Sequence, residues 1–320
     1  MKRRANRNKK KFLLVLACLA AFVVIVAVLS RVFNRRVERT VAAAVQTETK
    51  QDDTVTRNAV LYEPDTSVRS YLFLGVDDAG LDYKNYGRGG RTDTILLLIR
   101  KGEELRILEI SRDTMTEVDT YNVSGDYLST GVMQINMQYS FGDSPRRSIY
   151  LTKRCVGDLL GIDINGAIAL DMSGIAPIVD ALGGIDVYME EDCSYIDPAY
   201  TQDAEIHMDG KEAERFIRWR DTGISGSNDA RMSRHTWFIR QMLSQADPAN
   251  VNALFNAADP YLNTDMTAEE MKALYDCELA ETVRLPGQTR AGALHDEFYI
   301  DEDALCDTVL RLFYTPMGTE

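Results

Sequence analysis

The sequence predicts an α/β protein, a three-layer α/β/α domain with a mixed central sheet, preceded by a single N-terminal transmembrane helix. Three observations lead to this expectation. Three short apolar runs, typical of buried strands, follow one another between residues 70 and 110. Apolar strands then alternate with amphipathic helices between residues 144 and 188, the pattern of a sheet with helices on its faces. Finally, residues 12–30 run without a charge.

The N-terminal segment has the length and the flanks of a membrane anchor. Its apolar run is about 28 Å long as a helix, close to the ~30 Å hydrocarbon core of a bilayer. Seven cations among the first eleven residues predict that the N-terminus stays in the cytoplasm. We therefore predict a basic tail over 1–11, a transmembrane helix over 12–32 and a stalk over 33–67. The protein would be a single-pass cell-membrane protein whose globular part lies outside the cytoplasm.

Charge is distributed unevenly along the chain. The formal net charge is −13, yet residues 1–39 carry eleven Lys and Arg against one acid, which leaves the remainder at −23. So acidic a domain is a poor partner for nucleic acid, whose binding needs a basic surface. Basic residues that cluster inside this domain are more consistent with a small, local anion.

Four cysteines follow the membrane segment, and their pairing stays open. An even number outside the cell permits two disulfides. Four isolated buried thiols fit equally, and the long spacings contain no zinc-like motif. The four residues are Cys155, Cys193, Cys277 and Cys306.

Charged residues bound three predicted strands at what would be one edge of a sheet. The strands are Ser70–Val76, Thr94–Ile99 and Leu105–Ile110. If they run up, down and up, two strand ends and one strand start meet at one edge. Facing carboxylates would need a cation between them, and hard oxygen ligands suit Mg²⁺ or Mn²⁺. Each charge could also simply bound its strand. The residues gathered in this way are Asp77, Arg91, Asp93, Arg112 and Asp113.

Further elements are predicted from periodicity and capping signals. The first group comprises a helical segment over 131–142, helix Ser144–Leu160 closed by Gly161, strand Gly166–Leu170, helix Ser173–Leu182 and strand Ile185–Tyr188. The second comprises a helix opened by a capping box of Asp209 and Glu212, helices Ala249–Ala258 and Thr267–Asp276, a strand pair Thr282–Leu285 and Glu297–Ile300, and helix Glu302–Phe313.

The stretch from Phe216 to Gln241 holds five arginines in an otherwise acidic chain. A Gly- and Ser-rich loop divides it, and a helix is expected to start near residues 227–229. Arg231 and Arg234 would then lie in or near the first turn, on one face, where an anion could meet both. Alternatively, long side chains only solvate the surface of this helix. His235 is expected to be a hydrogen-bonded packing residue.

Seven sequence blocks, in a fixed order, resemble the LytR-CpsA-Psr family: GVDD, RTDT, ISRDT, INxxYxFG, LDMSGIxxIVDALGGIDV, HMDGxxAxxFIRWR and DARMSR. The resemblance covers residues 68–246, expected to form the catalytic domain, with 247–320 completing it. It implies a phosphotransferase that moves a glycopolymer from a polyprenyl-pyrophosphate carrier to a peptidoglycan hydroxyl and forms a phosphodiester. Mg²⁺ or Mn²⁺ would be the cofactor.

The resemblance also implies site residues. It assigns metal binding to Asp77 and Asp93, and we expect catalytic roles for Asp93, Arg112 and Asp113. Either Asp93 or Asp113 could accept the proton of the attacking hydroxyl, which leaves the general base open. The arginines that match pyrophosphate ligands are Arg91, Arg112, Arg218, Arg220, Arg231 and Arg234.

Three positions depart from the family pattern. Members often have Gln, an acid and Lys where this chain has His235, Asn228 and Gln134.

Three other functions are also considered. A module that binds polyprenyl phosphates without turnover is one alternative, and a hydrolase that uses water in place of the acceptor hydroxyl is a second. A DNA-binding regulator is disfavoured by the charge of −23 and by the lack of a helix-turn-helix pattern.

Overall fold

A six-stranded mixed sheet lies at the centre of the part of the chain that the computed structural model describes, residues 54–77, 89–220, 227–245, 251–293 and 295–317. Numbered along the chain, its strands are, from edge to edge, β11 (Leu262–Thr264), β8 (Gly166–Asp171), β3 (Val68–Asp77), β4 (Arg91–Lys101), β5 (Glu104–Glu109) and β12 (Glu278–Arg284). The β3–β4 and β4–β5 pairs are antiparallel, whereas β8 runs parallel to β3 and β12 parallel to β5. The predicted α/β fold with a mixed central sheet is confirmed.

Smaller sheets and eight helices complete the described residues. The other strands are β1 (Val55–Arg57), β2 (Val60–Pro64), β6 (Met115–Tyr121), β7 (Tyr127–Gln134), β9 (Ile185–Tyr188), β10 (Glu205–Met208), β13 (Gly287–Ala291), β14 (Asp296–Ile300) and β15 (Tyr314–Pro316). The helices are α1 (Met137–Ser140), α2 (Pro145–Leu160), α3 (Ile175–Leu182), α4 (Gly210–Arg218), α5 (Ser227–Gln245), α6 (Val251–Ala258), α7 (Ala268–Tyr275) and α8 (Glu302–Phe313).

Both faces of the central sheet are buried. Alternate side chains of a strand point to opposite faces, and β3 is apolar from Tyr71 to Val76. On one face Leu72 packs in a core that includes Val156 of α2 and Leu312 of α8. On the other face Tyr71 packs in a cluster with Leu274 of α7. Helices therefore contribute apolar side chains to both faces of the sheet.

The capping signals identify helix ends correctly. Ser144 caps α2 by accepting a hydrogen bond from the Arg147 backbone N–H, and Gly161 closes that helix in the left-handed conformation at φ 65°. Asp209 and Glu212 form both bonds of the expected capping box at the start of α4. This box matters for the site because α4 carries Arg218 at its far end.

The helical prediction for residues 131–142 is wrong in its first part. Residues 131–134 belong to β7, which pairs antiparallel with β6, and only Met137–Ser140 is helical. The Leu-Ser-Thr-Gly-Val-Met run has a strand-like alternation whose exposed face is partly apolar, because Leu128 and Val132 are exposed. Pairing with β6 outweighed the helical reading of the local sequence.

The predicted pairing of Thr282–Leu285 with Glu297–Ile300 is also wrong. The first segment belongs to β12, which adds to the free edge of β5 in parallel. The second belongs to β14, which forms a hairpin with β13. An unpaired β5 edge would expose a row of backbone donors and acceptors, and β12 satisfies it.

Two more segments depart from expectation. Strand β9 follows β8 and α3 as predicted, but it leaves the central sheet and pairs with β10. Its Ile185 and Val187 enter a second core with Phe216 of α4 and Phe238 of α5, which explains why β9 leaves the central sheet.

The stalk predicted over residues 33–67 contains regular structure. Within this range β1 and β2 form a sheet with the C-terminal β15.

The four described cysteines are free thiols. Cys155 and Cys193 are buried, and burial raises the pKa of the Cys155 thiol to about 12. We expect dithiothreitol to leave the melting temperature of the protein unchanged within about 1 °C, since loss of a native disulfide would cost about 2–5 kcal/mol. Thermal unfolding with and without the reductant measures this, and a clear drop would contradict the free-thiol assignment.

No helix within the described ranges is long and apolar enough to cross a membrane. The predicted transmembrane helix over 12–32 and basic tail over 1–11 lie outside the described residues.

Candidate functional site

The candidate site begins with an irregularity between β3 and β4. Gly75 pairs with Thr94 and Val76 with Thr92, so that Asp93 is an extra residue in β4. A bulge of this kind redirects a side chain away from the regular ladder. Gly75 permits the close approach, because a Cβ there would lie 2.9 Å from Thr94 Oγ1. One pair further along, Asp77 lies opposite Arg91, so both predicted acids are at the same end of the sheet.

Asp93 accepts hydrogen bonds from two arginines of distant segments. Arg112 Nη1 donates to Asp93 Oδ1, and Arg231 Nη1 donates to Oδ2 over 2.9 Å. The Asp93 side chain is 7% exposed and that of Arg231 6%. The expectation that Arg231 only solvates a helix surface is therefore excluded. The bulge residue joins the end of the sheet to helix α5 through a buried ion pair.

Asp77 has a separate, more open arginine. Arg218 Nη1 donates to Asp77 Oδ1 over 2.8 Å, and its Nε donates to Glu214 Oε1 over 2.8 Å. Glu214 is one helical turn before Arg218, a spacing that stabilises an ion pair on a helix surface. The sequence prediction missed Glu214, although this spacing was the available signal. Both acids orient the guanidinium across the end of β3.

Asp113 is held mainly by neutral amides. Gln134 Nε2 donates to its Oδ1 over 2.7 Å, and Asn228 Nδ2 donates to its Oδ2. Arg112 Nε lies 3.5 Å from Oδ1, an ion pair rather than a hydrogen bond. Burial raises the pKa of the Asp113 carboxyl despite the nearby Arg112 charge. The structure thus brings Asp93, Arg112 and Asp113, the three predicted catalytic residues, into one connected cluster.

Arg231 and Arg234 do not share a ligand in this structure, although they lie three residues apart on α5. Both follow the first turn of the helix, which begins at Ser227. Arg231 reaches Asp93, whereas Arg234 donates to Tyr195 Oη over 3.2 Å and to the Trp219 carbonyl over 2.6 Å. The Arg234 guanidinium also lies 5.8 Å from the Trp219 ring. Arg234 therefore packs against the segment that carries the other arginines.

Two further arginines are exposed beside this cluster. Arg91 opens β4 opposite Asp77, and Arg220 follows α4. The positive charge of Arg220 opposes the burial-induced rise in the pKa of Asp113 and adds to the lowering of the pKa of Arg231. Burial is the main reason that the pKa of Arg231 falls to about 10, which still leaves the guanidinium protonated at neutral pH. The site combines buried, fixed arginines with exposed ones that a ligand can reach.

His235 is a packing residue, as predicted. Its Nε2 donates to the Ile217 carbonyl over 2.8 Å, so the neutral ring accepts from the Thr94 hydroxyl at Nδ1, over 2.5 Å. Burial, together with the positive charge of Arg231, lowers the pKa of His235 to about 3. The neutral imidazole thus connects β4 to α4 and α5 directly behind Asp93.

The His235 shift predicts a pH-dependent stability. The unfolded chain binds the proton near pH 6.5, so the native state loses stability as the pH falls from about 6.5 towards 3. We expect this residue to lower the free energy of unfolding by about 2 kcal/mol between pH 7 and pH 5. Urea unfolding of the wild type and of His235→Gln at both pH values measures the difference. An equal pH dependence in the two proteins would contradict the prediction.

The carboxylates at this end of the sheet suit a divalent cation that is completed by its substrate. Mg²⁺ is usually held by one or two carboxylates, with waters and phosphate oxygens as its other ligands. Asp77 and Asp93 would be the two carboxylates. A carboxylate oxygen that accepts a hydrogen bond from a guanidinium keeps a second lone pair, which could bind the cation. In the residues that the structure describes, no group of three or more His, Cys, Asp or Glu could hold a metal alone. A divalent cation at this place would therefore take its remaining ligands from water or from a phosphate-bearing ligand.

Fold and site together define an α/β protein with a cluster of arginines and aspartates at one end of a mixed sheet. The chain belongs to the LytR_cpsA_psr family, whose model matches residues 31–305. The resemblance seen in the sequence blocks is thereby confirmed.

Relatives and solved structures agree with this assignment. The chain is 26% identical over 252 residues to the polyisoprenyl-teichoic acid–peptidoglycan teichoic acid transferase TagV of Bacillus subtilis, covering 73% of this chain and 61% of TagV. It is 27% identical over 251 residues to the transferase TagU of Bacillus anthracis, covering 73% of this chain and 74% of TagU. The crystal structure of B. subtilis TagV shares the fold with a TM-score of 0.60 at 23% identity, covering 78% of this chain and 96% of that one.

Proposed function

We propose that this protein is a phosphotransferase that moves a glycopolymer from a polyprenyl-pyrophosphate carrier to a peptidoglycan hydroxyl and forms a phosphodiester. The observation that carries the proposal is the bulge residue Asp93, held between Arg112 and Arg231 beside the Asp77–Arg218 pair. Two chain segments more than a hundred residues apart thus present guanidinium groups at one end of the sheet. The transferase names of TagV and TagU support the same reaction class.

Charge stabilisation is the main task of such a site. Phosphoryl transfer requires the protein to align the reactants and to stabilise negative charge that spreads over the phosphate oxygens. Arg91 and Arg220 are exposed and can meet the diphosphate first, whereas Arg112 and Arg231 are kept in place by Asp93. In this proposal Arg234 acts through its contacts to Trp219 and so keeps the Arg218–Arg220 segment in position.

The reaction balances without an external energy source. The acceptor oxygen bonds to the glycan-side phosphorus, the bridging P–O bond breaks, and polyprenyl phosphate leaves with the electron pair. The acceptor proton goes to a carboxylate of the cluster, Asp93 or Asp113. Mg²⁺ or Mn²⁺ on Asp77 and Asp93 would neutralise charge on the phosphate oxygens when bound. The diphosphate linkage itself supplies the driving force.

We also propose where in the cell the protein acts. An uncleaved membrane anchor at residues 12–32 with a basic cytoplasmic flank would hold the domain on the outer side of the membrane. There it would meet both partners, the lipid-linked glycan donor and the peptidoglycan acceptor.

Transfer can be separated from binding and from hydrolysis in one assay. The full-length protein in detergent is incubated with a short synthetic polyprenyl-pyrophosphate glycan, with and without a peptidoglycan oligomer, and the products are weighed by mass spectrometry. We expect a phosphodiester-linked product and free polyprenyl phosphate only when the acceptor is present. Glycan phosphate formed equally without acceptor would show a hydrolase instead. Donor bound but unchanged would show a non-catalytic module.

A further inference from the structure

The buried carboxylate of Asp113 has an unusual set of partners for an acid among arginines. Each of its oxygens accepts a hydrogen bond from a neutral amide, Oδ1 from Gln134 and Oδ2 from Asn228. Asp113, Gln134 and Asn228 are all buried, at 3%, 6% and 8% exposure. The nearest cation, Arg112, approaches only to 3.5 Å through Nε. Amides therefore fix the orientation of this carboxylate, which leaves the hydrogen-bonding Nη groups of Arg112 for other partners.

The same two amides connect the separate parts of the site. Gln134 ends β7, and its Nε2 also donates to the Asp296 carbonyl of β14 over 2.9 Å. Asn228 lies in the first turn of α5, and its Oδ1 accepts from Arg231 Nη2 over 3.1 Å. A continuous chain of contacts thus runs from Gln134 through Asp113 and Asn228 to Arg231, and from Arg231 to Asp93.

The net charge of this cluster of contacting side chains depends on which residues occupy the two amide positions. Gln134 and Asn228 add no charge, so the cluster contains two carboxylates, Asp93 and Asp113, and two guanidinium groups, Arg112 and Arg231. A carboxylate at position 228 would replace the donor to Asp113 by a like charge in a buried place, which is strongly unfavourable. An ammonium at position 134, on the other side of Asp113, would offset that extra charge.

We propose that Gln134 and Asn228 are positioning residues, a neutral amide clamp that fixes Asp113 and Arg231 so that Arg112 and Arg231 face the diphosphate. The clamp acts through other residues and has no part in the bond changes. This inference rests on the proposed function, because it assumes that the arginines bind a diphosphate.

A charge-exchange series tests the clamp in the full-length protein. The variants are Asn228→Asp, Gln134→Lys and their combination, and the matched control is Gln138→Glu. Gln138 is equally buried, but its side chain bonds the backbone of Asp119 in the β6 strand, outside the site. Two readouts are used: the affinity for inorganic pyrophosphate by calorimetry, and the kcat and KM of glycan transfer.

We expect Asn228→Asp to weaken pyrophosphate binding about tenfold and to lower kcat about 100-fold, with a smaller change in KM. The double variant should regain at least about tenfold of that loss, and Gln138→Glu should change neither readout per folded molecule. Losses that simply multiply in the double variant, or an Asn228→Asp protein that behaves like Gln138→Glu, would overturn the clamp.

The two readouts also separate this inference from the proposed function. If the wild type binds pyrophosphate but transfers nothing, the function is wrong, and the clamp stands or falls on the affinity pattern alone. If the wild type fails to bind pyrophosphate, the clamp is overturned as well.

Discussion

Replacing Arg231 by methionine is expected to lower the free energy of unfolding by about 3–5 kcal/mol and to abolish measurable glycan transfer. Methionine fills most of the space but leaves Asp93 with Arg112 as its remaining guanidinium partner in a place where its side chain is 7% exposed. Removing one member of a buried ion pair costs far more than the pair contributes, because the other charge stays desolvated. Chemical denaturation and the mass-spectrometric transfer assay measure the two effects.

The same helix provides a matched control for this variant. Arg240 also lies on α5 and pairs with Glu190, but its side chain is 40% exposed. Arg240→Met should change the free energy of unfolding by no more than about 1 kcal/mol and leave transfer intact, because exposed ion pairs contribute little. If both variants were equally mild, the buried Asp93–Arg231 pair would not hold the site together.

The parts of the fold that could be predicted from the sequence are those with a strong local signal. The β3–β4–β5 meander follows from three apolar runs, of which the second and third are separated by a tight turn where Gly102 has a φ of 62°. The ends of α2 and α4 follow from Ser144, Gly161 and the Asp209 capping box, since caps act within one helical turn.

The parts that could not be predicted depend on partners far along the chain. Strand β12 joins β5 because β5 has a free edge, and the sequence of residues 278–284 does not indicate which strand it pairs with. Strand β7 reads as a helix until its pairing with β6 is known. Strand β9 leaves the sheet because its apolar side chains fit the core of α4 and α5, which form later in the sequence.

The candidate site shows the same division. The strand order predicts that Asp77, Asp93 and Arg112 share one end of the sheet, because that follows from an up, down and up path. The partner choice within the cluster was not predictable. Arg231 pairs with the bulge residue, whereas Arg234, three residues away, turns to Tyr195 and Trp219. That difference depends on packing between α4, α5 and the segment that carries Tyr195.

The Asp77→Asn variant tests the proposed metal site with little expected effect on protein stability. We expect Asp77→Asn to lower glycan transfer about 100- to 1,000-fold, because it removes a carboxylate proposed to hold the cation that neutralises the phosphate charge. Its stability should change by no more than about 1 kcal/mol, since its ion pair with Arg218 is partly exposed, at 32% for the Asp77 side chain. Transfer activity and urea unfolding measured on the same preparation separate the two effects.

A direct binding measurement then decides whether the Asp77 effect comes from a metal. Mg²⁺ is titrated into wild type and Asp77→Asn in the presence of inorganic pyrophosphate, and we expect the variant to bind it at least about tenfold more weakly. Asp65→Asn is the matched control: Asp65 pairs with Lys101 over 2.7 Å, and Lys101 lies opposite Val68 at the other end of the β3–β4 ladder. Equal Mg²⁺ affinity in all three proteins would remove Asp77 from the proposed metal site.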